Sequence, residues 1–192
     1  MSQVVENITV LGSTGSIGVS TLDVIARHPD KYCAYALTAN TSVELIIPQI
    51  QQHHPRFAVM KDERSAQQLA ERLHELGLTD TQILAGEDGL LQVAADPSVV
   101  SVMAAIVGAA GLSSTMAAVS AGKKVLLATK ESLVMAGHLF LQAVQARGGT
   151  TLPTYREHTL IFPIMPARYK SGTTAGRVSD DGSERLGTLI GG

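Results

Sequence analysis

From about residue 7 to residue 128 the chain alternates short β-branched runs with stretches whose apolar residues recur at helical spacing. That alternation is the pattern of βαβ units feeding a parallel sheet. Strands are expected at 7–11, 32–38, 57–60, 82–84, 100–107 and 125–128. The run 100–107 is apolar almost throughout, as a strand covered on both faces must be. Helices are expected at 17–28, stopping before Pro29, whose ring disfavours helical geometry in the residue ahead of it. Others are expected at 62–76 with Gly77 behind it, at 112–121 with Gly122 behind it, and at 133–147 before Gly148. Helical periodicity also covers 43–52, but Pro48 inside it costs about 3 kcal/mol, so a kinked or short helix is expected there.

These elements predict an α/β fold, a Rossmann-like doubly wound parallel sheet with helices on both faces. Residues 1–150 form the nucleotide-binding domain in this reading, and 151–166 the start of a second unit. Residues 167–192 hold six glycines, scattered charges and no periodic apolar face. Nothing there can offset the entropy of ordering it, so a loose tail is expected.

Composition narrows the classes. In 192 residues, 45% are hydrophobic and 17% charged, a globular balance. A net charge of -2 leaves no basic field for nucleic acid and no patch for a membrane surface. Cys33 is the single cysteine, so no disulfide forms within the chain, and packing in the second strand is its expected role. With no apolar leader at the N-terminus and no run of the roughly 20 residues a membrane helix needs, a cytoplasmic protein is expected. The six histidines show no metal-ligand spacing, and His53-His54 precede Pro55 in what reads as a turn.

The candidate chemistry begins at Gly12-Ser13-Thr14-Gly15-Ser16-Ile17-Gly18, between the first strand and the first helix. Glycines at this spacing let the backbone turn sharply and approach a pyrophosphate, and the free amides of the helix start receive its charge. Ser13, Thr14 and Ser16 could add hydroxyl donors. A dinucleotide is the expected ligand, because the motif stands between a strand and a helix. The second strand runs into Asn40-Thr41-Ser42 with no acid before Glu44. A carboxylate there would hold a ribose 2′-hydroxyl, and its absence favours the 2′-phosphate of NADP. No Arg or Lys stands in that loop, leaving hydroxyl, amide and backbone donors.

Two later blocks carry a resemblance. One is Val102-Met103-Ala104-Ala105-Ile106-Val107-Gly108-Ala109-Ala110-Gly111-Leu112, and the other ends in Leu127-Ala128-Thr129-Lys130-Glu131-Ser132. With the glycine loop, they resemble 1-deoxy-D-xylulose 5-phosphate reductoisomerases from about residue 8 to residue 149, with traces to Phe162. The resemblance implies an NADPH-dependent oxidoreductase of non-mevalonate isoprenoid synthesis, a homodimer that uses Mg or Mn. Its phosphosugar substrate rearranges to an aldehyde, which NADPH reduces to 2-C-methyl-D-erythritol 4-phosphate. By motif position, Thr14, Gly15, Ser16 and Ile17 would hold the cofactor's phosphates. Asn40, Thr41 and Ser42 would lie near its 2′-phosphate, and Thr129 and Glu131 near the nicotinamide. Lys130 would contact substrate, and Glu157 would serve catalysis as a metal ligand.

Departures from the family pattern are equally informative. Thr41 stands where the family has a basic residue, and Thr129 where it has Asn. In Leu152-Pro153-Thr154-Tyr155-Arg156-Glu157-His158-Thr159, Tyr155 takes the metal-binding Asp position and Arg156 a substrate-binding Ser position. One carboxylate beside a guanidinium is a poor site for a hard divalent cation. The chain alone is therefore expected to be inactive or nearly so, and the divergence near residues 150–166 reads as a truncated or disrupted frame. The alternatives are a small Rossmann oxidoreductase acting on another substrate and a non-catalytic nucleotide-binding module.

Overall fold

The computed structural model describes residues 5–106, 109–127 and 151–153. The strands are β1 (Glu6–Leu11), β2 (Tyr32–Ala39), β3 (Phe57–Met60), β4 (Gln82–Ala85), β5 (Ser101–Ala104), β6 (Lys124–Leu127) and β7 (Thr151–Pro153). The helices among the described residues are α1 (Ser16–Arg27), α2 (Val43–His53), α3 (Glu63–Glu75), α4 (Gly86–Ala95) and α5 (Ala109–Ser120). The strands form one sheet in the order β4-β3-β2-β1-β5-β6-β7, and every pair is parallel. The chain builds outward from β1 to β4 and then returns to place β5 on the other side of β1. The sheet's order reverses between β1 and β5, where open α/β sheets bind ligands at the carboxyl ends of the strands.

Alternating residues of the central strand feed two separate cores. Ile8 and Val10 join Leu22 and Ile25 of α1, Ile46 and Ile50 of α2, and Leu69 and Leu73 of α3. Leu11 on the opposite face joins Val93 of α4, Val119 of α5, Val59 and Val102. Helices therefore cover both faces. The pairing of β1 with β2 slips by one residue between Ile8 and Thr9. The consequence is visible in β2, where Tyr35 and Ala36 both lie in the second core while Ala34 and Leu37 lie in the first. An extra residue in one strand lets two neighbours share a face, which is what a bulge does.

Four sequence expectations change. The stretch with Pro48 forms one helix of 11 residues that runs through the proline, so it is not short. Its buried stripe of Val43, Ile46, Ile47 and Ile50 is worth about 1.5–3 kcal/mol per side chain, more than the proline's cost. The strand expected at 100–107 spans only Ser101–Ala104. Its amide ladder ends as Ala105 N–H donates to the Leu11 carbonyl. Cys33 lies in β2 but is exposed, because the buried run of that strand starts one residue later, at Ala34. Helix α4 was not expected at all. The helix expected at 133–147 lies outside the described residues.

Of the glycines foreseen behind helices, the two among the described residues take that role. Gly77 and Gly122 have φ of 71° and 72°. Behind each, the next amide reaches back into the last turn, Leu78 N–H to the Leu73 carbonyl at 2.8 Å and Lys123 N–H to the Ala118 carbonyl at 3.0 Å.

Candidate cofactor site

The turn after β1 is held from three directions. Gly12 adopts φ +79°, and a Cβ there would stand 3.1 Å from the Ala105 carbonyl oxygen at the end of β5. Only a glycine sits there without strain. From β2, Thr38 accepts twice: its Oγ1 takes the Gly12 N–H at 2.8 Å, and its carbonyl takes the Ser13 N–H at 2.8 Å. From α2, Gln49 closes a two-pronged contact with Ser13. The Ser13 hydroxyl donates to Gln49 Oε1 at 2.7 Å, and Gln49 Nε2 donates to the Ser13 carbonyl at 2.9 Å.

Ser13 is fully buried, so its hydroxyl supports the turn from below and is not presented to a ligand. Thr14 is half-buried, whereas Gly15, Ser16 and Ile17 are exposed. The sequence could not show Gln49 or Thr38 in this role, since their partners lie 36 and 26 residues away along the chain.

Helix α1 starts from this turn with Gly15 as its N-cap, with no side-chain cap and no acidic residue in the first turn. Helices α2, α3 and α4 differ. Asp62 caps α3 by accepting the Ser65 N–H, and α2 and α4 carry Glu44, Glu87 and Asp88 in their first turns. A carboxylate at a helix start offsets the positive end of the helix dipole. At α1 that end is left open, on the edge of the sheet where the strand order reverses, which is the arrangement that receives a phosphate.

Asn40, Thr41 and Ser42 follow β2 and are all exposed. Because β1 and β2 are parallel neighbours, the structure brings this loop and the glycine turn to one edge. Beside the loop lies an open hollow of about 510 Å³ whose lining includes Thr41, Ser42, Glu44, Gln68, Glu71 and Arg72. Arg72 comes from α3. Its Nε lies 3.6 Å from Glu44 Oε1, and its Nη1 donates to Glu75 Oε2. These carboxylates, Glu75 first, raise the guanidinium above its ordinary value.

Strand β6 ends at Leu127 on the same edge. Thr129, Lys130 and Glu131, and Tyr155, Arg156 and Glu157, lie outside the described residues. Among the described residues no group of three or more His, Cys, Asp or Glu side chains could hold a metal ion, and no helix is long and apolar enough to cross a membrane.

Known proteins resemble both the sequence and this geometry. The family profile for 1-deoxy-D-xylulose 5-phosphate reductoisomerase matches residues 8–137. The enzyme of that name from Saccharophagus degradans is 54% identical over 171 residues, which cover 89% of this chain and 43% of the relative. The one from Dechloromonas aromatica is also 54% identical, over 90% of this chain and 43% of its own length. A crystal structure of DOX-P reductoisomerase with NADPH, fosmidomycin and magnesium superposes with a TM-score of 0.81 at 44% identity, covering 86% of this chain and 40% of that one. The Zymomonas mobilis reductoisomerase in complex with NADPH gives 0.80 at 41% identity, covering 88% of this chain and 43% of that one. The chain thus spans less than half the length of these relatives, and across that span it belongs to the 1-deoxy-D-xylulose 5-phosphate reductoisomerase family.

Proposed function

We propose that this chain binds NADPH, with the cofactor's diphosphate beside Gly15 on the exposed amides of Ser16 and Ile17 and its 2′-phosphate at Asn40, Thr41 and Ser42. The observation that carries this is the uncapped start of α1, free of acid and supported from β2, α2 and β5. The relatives solved with NADPH support the same reading. The cofactor supplies a hydride to an aldehyde formed by rearrangement of 1-deoxy-D-xylulose 5-phosphate. This chain's part is to hold the dinucleotide along the strand ends and to exclude water beneath the turn by burying Ser13. Lys130 is the residue assigned to the phosphosugar, as a donor to an oxygen whose charge changes during reaction.

The divalent metal of the family does not fit the residues present. Tyr155, Arg156 and Glu157 offer one carboxylate beside a fixed positive charge, where a hard cation needs several oxygen ligands. No catalytic step is assigned through a metal in this chain, and the chain by itself is proposed to hold cofactor without sustained turnover.

Gly15→Asp tests the binding proposal. Gly15 has φ -76° and ψ 164°, a geometry in which Asp is a favoured N-cap, and a Cβ there meets only an ordinary 3.5 Å contact. The variant should fold at least as stably as the parent while placing a carboxylate where the diphosphate must sit. Titration calorimetry should show NADPH affinity falling by about tenfold or more, the effect of like charge against a phosphate at a helix start. Unchanged affinity in a folded variant would refute the site.

A further inference from the structure

We propose that Arg72, reaching over from α3, is the cation that recognises the 2′-phosphate of the cofactor, in place of a basic residue in the loop after β2. The inference rests on the NADPH reading above and deepens it. A phosphate monoester carries close to two negative charges near neutral pH, and the loop Asn40-Thr41-Ser42 has no cation of its own. The hollow beside that loop takes Thr41 and Ser42 on one side and Arg72 on the other. Threonine and serine hydroxyls with a guanidinium are a sound donor set for a phosphate.

The guanidinium is placed to reach an incoming anion. Its side chain is 46% exposed, and of its five N–H donors the contacts with Glu75 and Glu44 use Nη1 and Nε. Nη2 remains for an incoming oxygen. The contact with Glu44 is the weaker of the two, at 3.6 Å with the glutamate 75% exposed, so a phosphate can displace it at small cost. Glu44 then acts as the resident counter-ion, holding Arg72 beside the loop until a more highly charged group arrives. Glu71, which also lines the hollow, opposes the phosphate together with Glu44. Discrimination in favour of NADPH is consequently positive but modest.

Affinities for NADPH and NADH, measured by calorimetry on the full chain and its variants, test this. Arg72→Ala should weaken NADPH binding about tenfold, the worth of one charge-assisted contact, and leave NADH binding unchanged. Glu44→Gln should tighten NADPH binding a few-fold, again with NADH unmoved. A loss in Arg72→Ala that is equal for the two cofactors would mark the residue as merely structural, and no loss at all would remove it from the site; either overturns the assignment while the cofactor site stands. Should the parent chain bind neither dinucleotide, the NADPH reading fails and this assignment with it.

Discussion

Gly18 sits against the turn it follows. A Cβ at that position would lie 2.3 Å from the Gly12 carbonyl oxygen and 2.6 Å from Ser13 Cα, both backbone atoms that cannot swing aside. Gly18→Ala should therefore lower stability by about 1–3 kcal/mol, the usual cost of overpacking, and reduce NADPH affinity by shifting the amides of the first helical turn. Chemical denaturation and calorimetry on the same variant read both effects. The glycines and their function as a turn were legible in the sequence, because spacing and context suffice for that. What supports the turn was not, since Thr38 and Gln49 are ordinary strand and helix residues until folding brings them to it.

His53 offers a second prediction at this scale. Burial first, and then the neighbouring His54, lower its pKa from the ordinary 6.5. The unfolded chain then binds a proton more readily than the folded one, so the contribution is full above the unfolded value and is lost as pH falls from there through the depressed folded value. The parent should lose stability on acidification from pH 7 through this window. His53→Gln should lose less, which denaturant midpoints at a series of pH values would reveal.

At the scale of elements, Pro48 stands on an exposed position in the middle of α2. It leaves the Glu44 carbonyl without its helical amide partner. Pro48→Ala should raise stability by about 1–2 kcal/mol, less than the full 3 because proline also restricts the unfolded chain. A lower or unchanged melting temperature would mean that the ring itself packs usefully.

Five strands and four helices could be read from periodicity with boundaries near those observed, and the reasons for the remainder are specific. Helix α4 opens with Gly86 and carries Gly89, two residues that read as a turn. Yet a Cβ on Gly89 would come within 2.9 Å of Val59 Cγ1 and 3.0 Å of Leu84 Cβ. The glycine that hides the helix in sequence is what lets it lie close on the sheet. The fifth strand appeared too long because its apolar run continues past the point where pairing stops. The hollow beside Asn40–Ser42 was half legible: its loop follows from the motif, but Arg72 lies 30 residues later on another helix.

For the whole molecule, cofactor binding should couple to stability. At a hundred times its dissociation constant, a ligand that binds only the folded state adds about 2.7 kcal/mol, which for a chain of this size is about 5–10 °C in melting temperature. NADPH should produce that shift in thermal unfolding. Deoxyxylulose phosphate with manganese should give no sustained NADPH oxidation, because Tyr155-Arg156-Glu157 offers one carboxylate next to a guanidinium in sequence, a poor donor set for a hard cation. Steady consumption of NADPH at rates usual for the family would overturn that expectation.

The position of β1 between β2 and β5 has a consequence for how the protein matures. Its first flank is completed within 39 residues, but its second waits for Ser101–Ala104, and Asn7 finds the Ser98 carbonyl only across 91 positions. Contacts this remote are slow to close. A nascent chain must carry a half-dressed strand until more than a hundred residues have left the ribosome, and Ala105, which backs Gly12, arrives at the same late moment. A chain ending at residue 97 should therefore neither unfold cooperatively nor retain dinucleotide, and such a product in the cell would be a substrate for chaperones rather than a smaller working protein.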